Sequence, residues 1–143
     1  MATSTIPSFK GELLARLQAR VGLSGVQVLW GLVANPSTEL LLLGNVDGEQ
    51  RPGALGNARR EEEYFLTVTI SVLRRGRDMR SAVERAWAIA AEVENELRDD
   101  ASLGNLVRVA QIDGPVTSEE VYAADGDVVE GRVTLTIRVN ARI

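Results

Sequence analysis

The stretch Ala58-Arg59-Arg60-Glu61-Glu62-Glu63-Tyr64-Phe65-Leu66-Thr67-Val68-Thr69-Ile70-Ser71-Val72-Leu73-Arg74-Arg75 begins in dense charge, becomes a two-residue alternation, and ends in more arginine. Tyr64, Leu66, Val68, Ile70 and Val72 share one face of an extended chain, and Phe65, Thr67, Thr69 and Ser71 share the other. This is the pattern of a long, half-buried antiparallel strand with core on one side and water or a partner on the other. Charge runs at strand ends are usually solvated, and at the margin of a sheet they also block or direct edge pairing.

Upstream, Pro7 opens a helix over 8–21 in which Phe9, Leu13, Leu14, Leu17 and Val21 form an apolar stripe, ended by Gly22 and Gly25. Two β-like runs follow, 26–33 and 39–46. The compact turn signal Asn35-Pro36-Ser37 between them makes an antiparallel pair the expected arrangement. From Asp47 to Arg59 the chain reads DGEQRPGALGNAR, with little apolar content, and is expected to be a long flexible loop.

Downstream, Asp78 can cap a second helix, with Ser81 and Glu84 in capping-box spacing as an alternative start. Met79, Ala82, Val83, Ala86, Ala90, Val93 and Leu97 repeat at helical spacing to Arg98, and Trp87 and Ile89 widen that face. Trp30 and Trp87 lie among apolar positions and read as core fillers. Residues 106–112 are β-like, 119–123 more weakly so, and Asp125-Gly126-Asp127 has hairpin-turn chemistry. The last strand sends Val129, Val133, Leu135, Ile137, Val139 and Ile143 inward, and Arg132, Thr134, Thr136, Arg138, Asn140 and Arg142 outward.

Composition suits one domain: 143 residues, 45% hydrophobic and 25% charged, can bury roughly 70% of the unfolded surface in a single core. A net charge of -4 argues against a protein that grips nucleic acid by neutralising phosphates. The N-terminal segment has no run of signal-peptide type, and the longest apolar run, 40–43, cannot span a bilayer, so a soluble cytoplasmic chain is expected. All but one of the 16 basic residues are arginine, a bias that suits forked hydrogen bonding but also follows from GC-rich coding.

With no histidine and no cysteine, Ser-His-Asp and Cys-His arrangements, disulfides and imidazole or thiolate metal sites are excluded. Gly22-Leu23-Ser24-Gly25-Val26 begins like a nucleophile elbow, but Val26 stands where the second glycine belongs, and Lys10 is the only lysine. No glycine cluster has phosphate-loop spacing. Carboxylates at Asp99-Asp100, at Glu119-Glu120 and from Asp125 to Asp127 could gather a metal, but read more simply as a helix end, a strand entry and a turn. A small α/β enzyme with an unrecognised carboxylate site is the alternative from a different class.

The order of an amphipathic helix, a β pair reaching ELLLLGNVDGEQ, a glycine-rich loop, ARREEEYFLTVTISVLRRG, the helix RSAVERAWAIAAEVENELRDD and the terminal GRVTLTIRVNARI resembles the tail terminator (tail completion) proteins of long-tailed bacteriophages. The resemblance runs from about Pro7 to Ile143. It implies an α/β fold of the α+β type, a mostly antiparallel sheet with two main helices packed on one face. It also implies a structural virion protein whose six copies close into a ring. The ring caps the tail tube, ends its polymerisation and joins the tail to the head connector.

Partners would then be further copies of itself, the tail tube protein and the head–tail connector proteins, with no cofactor and no membrane. DNA would pass through the ring without specific binding, although the arginines on the outer face of the last strand could bring basic groups to the lumen. The protein would sit at the virion neck after assembly in the host cytoplasm. On this reading Arg59, Arg60, Glu61, Glu62 and Glu63 at one end of the long strand, and Arg74, Arg75 and Arg77 at the other, supply complementary charges between subunits. Asp47, Glu49, Gln50, Arg51, Leu55 and Asn57 of the long loop would contact the tube. Another neck or tail-tube subunit would share this architecture.

Overall fold

The computed structural model describes residues 3–53, 60–124 and 126–143. Its elements in chain order are α1 (Ile6–Ala19), β1 (Gln27–Leu29), β2 (Glu39–Pro52), β3 (Arg60–Arg75), α2 (Met79–Asp99), β4 (Val109–Ile112), β5 (Thr117–Tyr122) and β6 (Val128–Arg142). The stretch that opens the sequence reading is β3, the centre of a six-stranded sheet ordered β1-β2-β3-β6-β4. β3 and β6 pair antiparallel along their whole length, from Glu61 opposite Arg142 to Arg75 opposite Val128. On the far edge of β6, β5 pairs with residues 129–134 and β4 with residues 137–140. The fold is α+β, as expected.

Period-two alternation decides which face is covered. Tyr64, Leu66, Val68, Ile70 and Val72 of β3 and Val129, Val133, Leu135, Ile137 and Val139 of β6 are buried on the same side, where both helices lie. α1 contributes Phe9, Leu13 and Leu17, and α2 contributes Met79, Ala82, Ala86, Ile89, Ala90, Val93 and Leu97. Phe9 meets Tyr64 edge-on with ring centroids 5.9 Å apart. α2 begins at the expected cap: Asp78 Oδ1 accepts from the Ser81 amide at 3.1 Å. The alanines at 82 and 86 let α2 sit close to β6, and over Gly131 its backbone leaves no room for a Cβ.

Four expectations change. The β1–β2 pair is parallel, with Gln27 opposite Leu40, because the chain crosses back through residues 30–38 instead of reversing at Asn35-Pro36; only residues 27–29 remain as strand. β2 runs on to Pro52, so Asp47, Glu49, Gln50 and Arg51 belong to a strand facing β3 rather than to a loop. Leu55, Asn57 and Arg59 lie outside the described residues. α1 ends at Ala19, and extended Arg20 turns Val21 outward to 88% exposure, so Leu23 fills the core in its place. Trp30 and Trp87 are 45% and 40% exposed and are not core fillers.

The length of β2 depends on a bulge. Leu43 lies opposite Val68 but Val46 opposite Leu66, so β2 carries one extra residue at Gly44-Asn45. The shift puts Val46, Gly48 and Gln50 on the helix side, in phase with Leu41 and Leu43 before it. Lys10 fills the site from α1: its Nζ donates to the Gly44 carbonyl oxygen at 2.8 Å and stands 4.7 Å from the centroid of the Trp30 ring. Burial lowers the Lys10 pKa.

Candidate interaction surfaces

The alternation of β3 extends one step further than the apolar residues do. Glu62 shares the inward phase of Tyr64 and Leu66 and is buried, 3% exposed. Its carboxylate accepts four hydrogen bonds: from Ser4 Oγ at 2.7 Å, the Thr5 amide at 2.7 Å, Thr5 Oγ1 at 2.8 Å and Gln50 Nε2 at 2.7 Å. Gln50 also donates to the Thr3 carbonyl oxygen at 2.8 Å. Burial pushes the Glu62 carboxyl up, and these hydrogen bonds more than offset it, holding the group below its ordinary value. α1 has no acidic residue in its first turn, so Glu62 supplies from β3 the negative charge that a helix N-terminus favours. Beside it, burial raises the Tyr64 phenol to about 12.

The neighbouring glutamates face the opposite, helix-free side of the sheet and meet the arginines of β6. Glu61 accepts from Arg142 Nη2 at 2.6 Å and Arg108 Nη1 at 3.2 Å. Glu63 accepts from Arg138 Nη2 at 3.2 Å, and Asp113 from Arg138 Nη1 at 3.3 Å. Glu130 takes Arg132 Nη2 at 2.8 Å and also accepts from Ser71 Oγ. Between these pairs lie two Thr–Thr rungs, Thr67 opposite Thr136 and Thr69 opposite Thr134. Arg132, Arg138 and Arg142, the outward arginines of the sequence reading, therefore each have a carboxylate partner in the same chain.

At the other end of β3, Arg74 is drawn inward: its Nη2 donates to Glu39 at 2.9 Å, and Arg85 of α2 donates to the same carboxylate at 3.1 Å. Burial pushes the Glu39 carboxyl up, and the two arginines hold it below its ordinary value. Arg75 and Arg77 are exposed, and Arg77 Nε donates to the Gly126 carbonyl oxygen at 3.0 Å. Arg60 is half-buried. Of the residues assigned to the tube, Asp47, Glu49 and Arg51 face the helix-free side of the arm formed by β2 and β3, and Gln50 faces the helices.

Two tethers were not found in the sequence. Arg20 joins the end of α1 to α2 through Glu92 and Glu96, each at 2.6 Å, and Asp99 at 3.3 Å. The signal was present, since 92, 96 and 99 form a helical stripe of acids beside the apolar one. Asp100 organises the turn after α2, accepting from the Gly104 amide at 2.8 Å, Ser102 Oγ at 3.0 Å and Arg16 Nη1 at 3.0 Å. These bonds lower its pKa to about 2.

The chemical candidates do not converge. Ser24 stands in an exposed turn, while Lys10 is committed to Gly44. Among the described residues no three acidic side chains form a group able to hold a metal ion. None of their helices is long and apolar enough to cross a membrane.

No protein-family model and no curated protein matches the chain. Among solved structures, the fold is similar to that of a chain from the "Virion of native gene transfer agent (GTA) particle", with a TM-score of 0.62 and 13% sequence identity. The match covers 99% of this chain and 100% of the other.

Proposed function

We propose that this chain is a structural protein of a phage-like virion, and that six copies form a ring which caps the tail tube, ends its polymerisation and joins the tail to the head connector. The observation that carries the reading is the likeness of fold over the full length of a virion chain. The ordered resemblance to tail terminators supplies the finer role. The arrangement of charges supports a scaffold rather than a catalyst, because the carboxylates of β3 and β6 are held by arginine or by α1 and none is left poised over a cleft.

Within this reading, Glu61, Glu62, Glu63 and Arg74 shape the subunit, leaving the exposed Arg75 and Arg77 best placed to reach a neighbour. The β2–β3 arm is the element that would touch the tube. DNA would pass a face whose arginines are already neutralised. The decisive test is to add the purified protein to growing tail tubes and weigh the product. A terminator stops extension and adds a ring of six copies, whereas a tube subunit lengthens the tubes. Tubes that grow to the same length distribution with and without it, carrying none of the protein, refute the assignment.

A further inference from the structure

Apart from Val21 and Tyr122, the large apolar residues exposed among the described residues fall into two groups at opposite edges of the sheet. One group is on the connection 30–38, exposed throughout, where Trp30, Leu32 and Val33 are 45%, 81% and 41% exposed and no residue is charged. This connection is held in place: Lys10 lies against Trp30, the Ser37 amide donates to Gln27 Oε1 at 2.7 Å, and the Leu73 amide donates to the Thr38 carbonyl oxygen at 2.8 Å. Both ends of this apolar projection are thus anchored to the sheet and α1, which limits the freedom it loses when it binds.

The second group lines a groove between α2 and the β4–β5 edge, formed by Trp87, Ala90, Ala91, Ile112, Val116 and Leu135. Trp87 and Val116 are 40% and 45% exposed. The charge at its rim, Glu94, is already paired with Arg98 at 2.7 Å. An uncharged projection seated there would bury no unpaired charge, which is the electrostatic match an interface core requires.

β1 is the first strand of the sheet and β4–β5 the last, so the two surfaces stand four strand spacings apart, roughly 19 Å. No chain can fill its own groove. We propose, resting on the ring reading above, that the occupant is a second copy: residues 30–33 of one subunit seat in the α2–β4–β5 groove of the next. Because the surfaces differ, the contact is heterologous, and its repetition gives the ring of the reading above where the rotation between neighbours closes.

The test uses the full chain at about 100 μM, where a contact with a Kd near 1 μM is saturated, measured by sedimentation and native mass spectrometry. Leu32→Asp blocks the projection and Val116→Asp the groove; Trp87→Glu is a second groove variant should Val116→Asp not fold. Each variant alone is expected to bind itself on the order of 100-fold more weakly than the parent chain, and to share the parent's thermal transition only at dilutions where neither associates, since self-association raises the parent's Tm at high concentration. Mixed, the two are expected to form a heterodimer and nothing larger, since one intact projection then meets one intact groove. A parent ring that survives both substitutions overturns this contact and leaves the ring reading standing. A parent chain that is monomeric at this concentration, or variants that fail to pair when mixed, also overturns it. Ring formation on tails is judged separately, from particle mass.

Discussion

A Cβ placed on Gly131 would stand 2.7 Å from the backbone carbonyl carbon of Ala82, closer than atoms pack. The obstacle is the backbone of α2, which cannot give way as a side-chain tip can. Gly131→Ala is therefore expected to lift α2 from β6 and destabilise the chain by about 1–3 kcal/mol, seen as a Tm lower by roughly 4 °C per kcal/mol. Gly22→Ala is the contrast, because the nearest atoms to its Cβ are the carboxylate end of Glu92, a side-chain tip that can shift at the expense of its ion pair with Arg20. Equal losses at the two sites would show that α2 does not approach the sheet at Gly131.

Glu62→Gln keeps the shape of the side chain but turns an amide toward donors on Ser4 and Thr5. Hydrogen bonds to a buried carboxylate contribute on the order of 1.5–3 kcal/mol, and a loss of that size is expected at neutral pH. The sign of the pH dependence follows from the lowered pKa. The unfolded chain binds a proton near pH 4.3 and the folded chain only below that, so the stabilisation is complete above about 4.3 and disappears as pH falls through the folded value. The gap between the parent chain and Glu62→Gln should be constant well above the unfolded value and narrow progressively as pH falls below it. A gap independent of pH would mean that Glu62 is not charged in the folded chain.

Much of this architecture was legible. β3, β6 and α2 declare themselves because long alternation and long helical stripes average over local noise. Glu62 was readable in principle, since the parity of Tyr64 and Leu66 places it inward, but a run of three glutamates suggests solvent. The parallel course of β1 was not readable: three residues carry no period, and a proline turn looks alike whether the chain reverses or crosses over. The extension of β2 to Pro52 was hidden because the bulge at Gly44-Asn45 resets the alternation and the arm beyond it has little core to face. The tryptophans misled because their exposed positions follow from the crossover and from the α2–β5 edge, which no local pattern specifies.

The pairing of Arg132, Arg138 and Arg142 with Glu130, Glu63 and Glu61 predicts how the helix-free face treats a polyanion. The parent chain should not retain duplex DNA at about 50 mM salt, near the low end of the range over which phosphate contacts are compared. Changing all three glutamates to Gln leaves the arginines in place but removes these partners, Arg138 alone keeping a second one in Asp113. That variant should bind DNA with a logarithmic salt slope of roughly -0.9 per phosphate contact, or about -3 in all. Fluorescence anisotropy against salt reads both proteins. DNA binding of equal strength in the two would show that the glutamates do not mask this face.

The last prediction concerns the β2–β3 arm and separates its scaffold from its tip. Glu49, Gln50, Arg51 and Pro52 face Glu63, Glu62, Glu61 and Arg60 across the ladder, and Gln50 ties Glu62 to the Thr3 carbonyl. Replacing 49–57 by a Gly-Ser linker therefore removes four ladder positions and one of the four donors to a buried carboxylate. It should lower stability by roughly 1.5–3 kcal/mol from the Gln50 contact alone. Replacing only 53–59 by a Gly-Ser turn of equal length keeps Gln50 and every ladder pair from Glu49 to Pro52, and the thermal transition is expected to stay within about 2 °C of the parent. If the tip is what meets the tail tube, this second variant should nevertheless give overlong or headless tails in a complementation assay. Tails of normal length and yield from the 53–59 variant would place the tube contact elsewhere on the subunit, since that variant keeps both the fold and the arm.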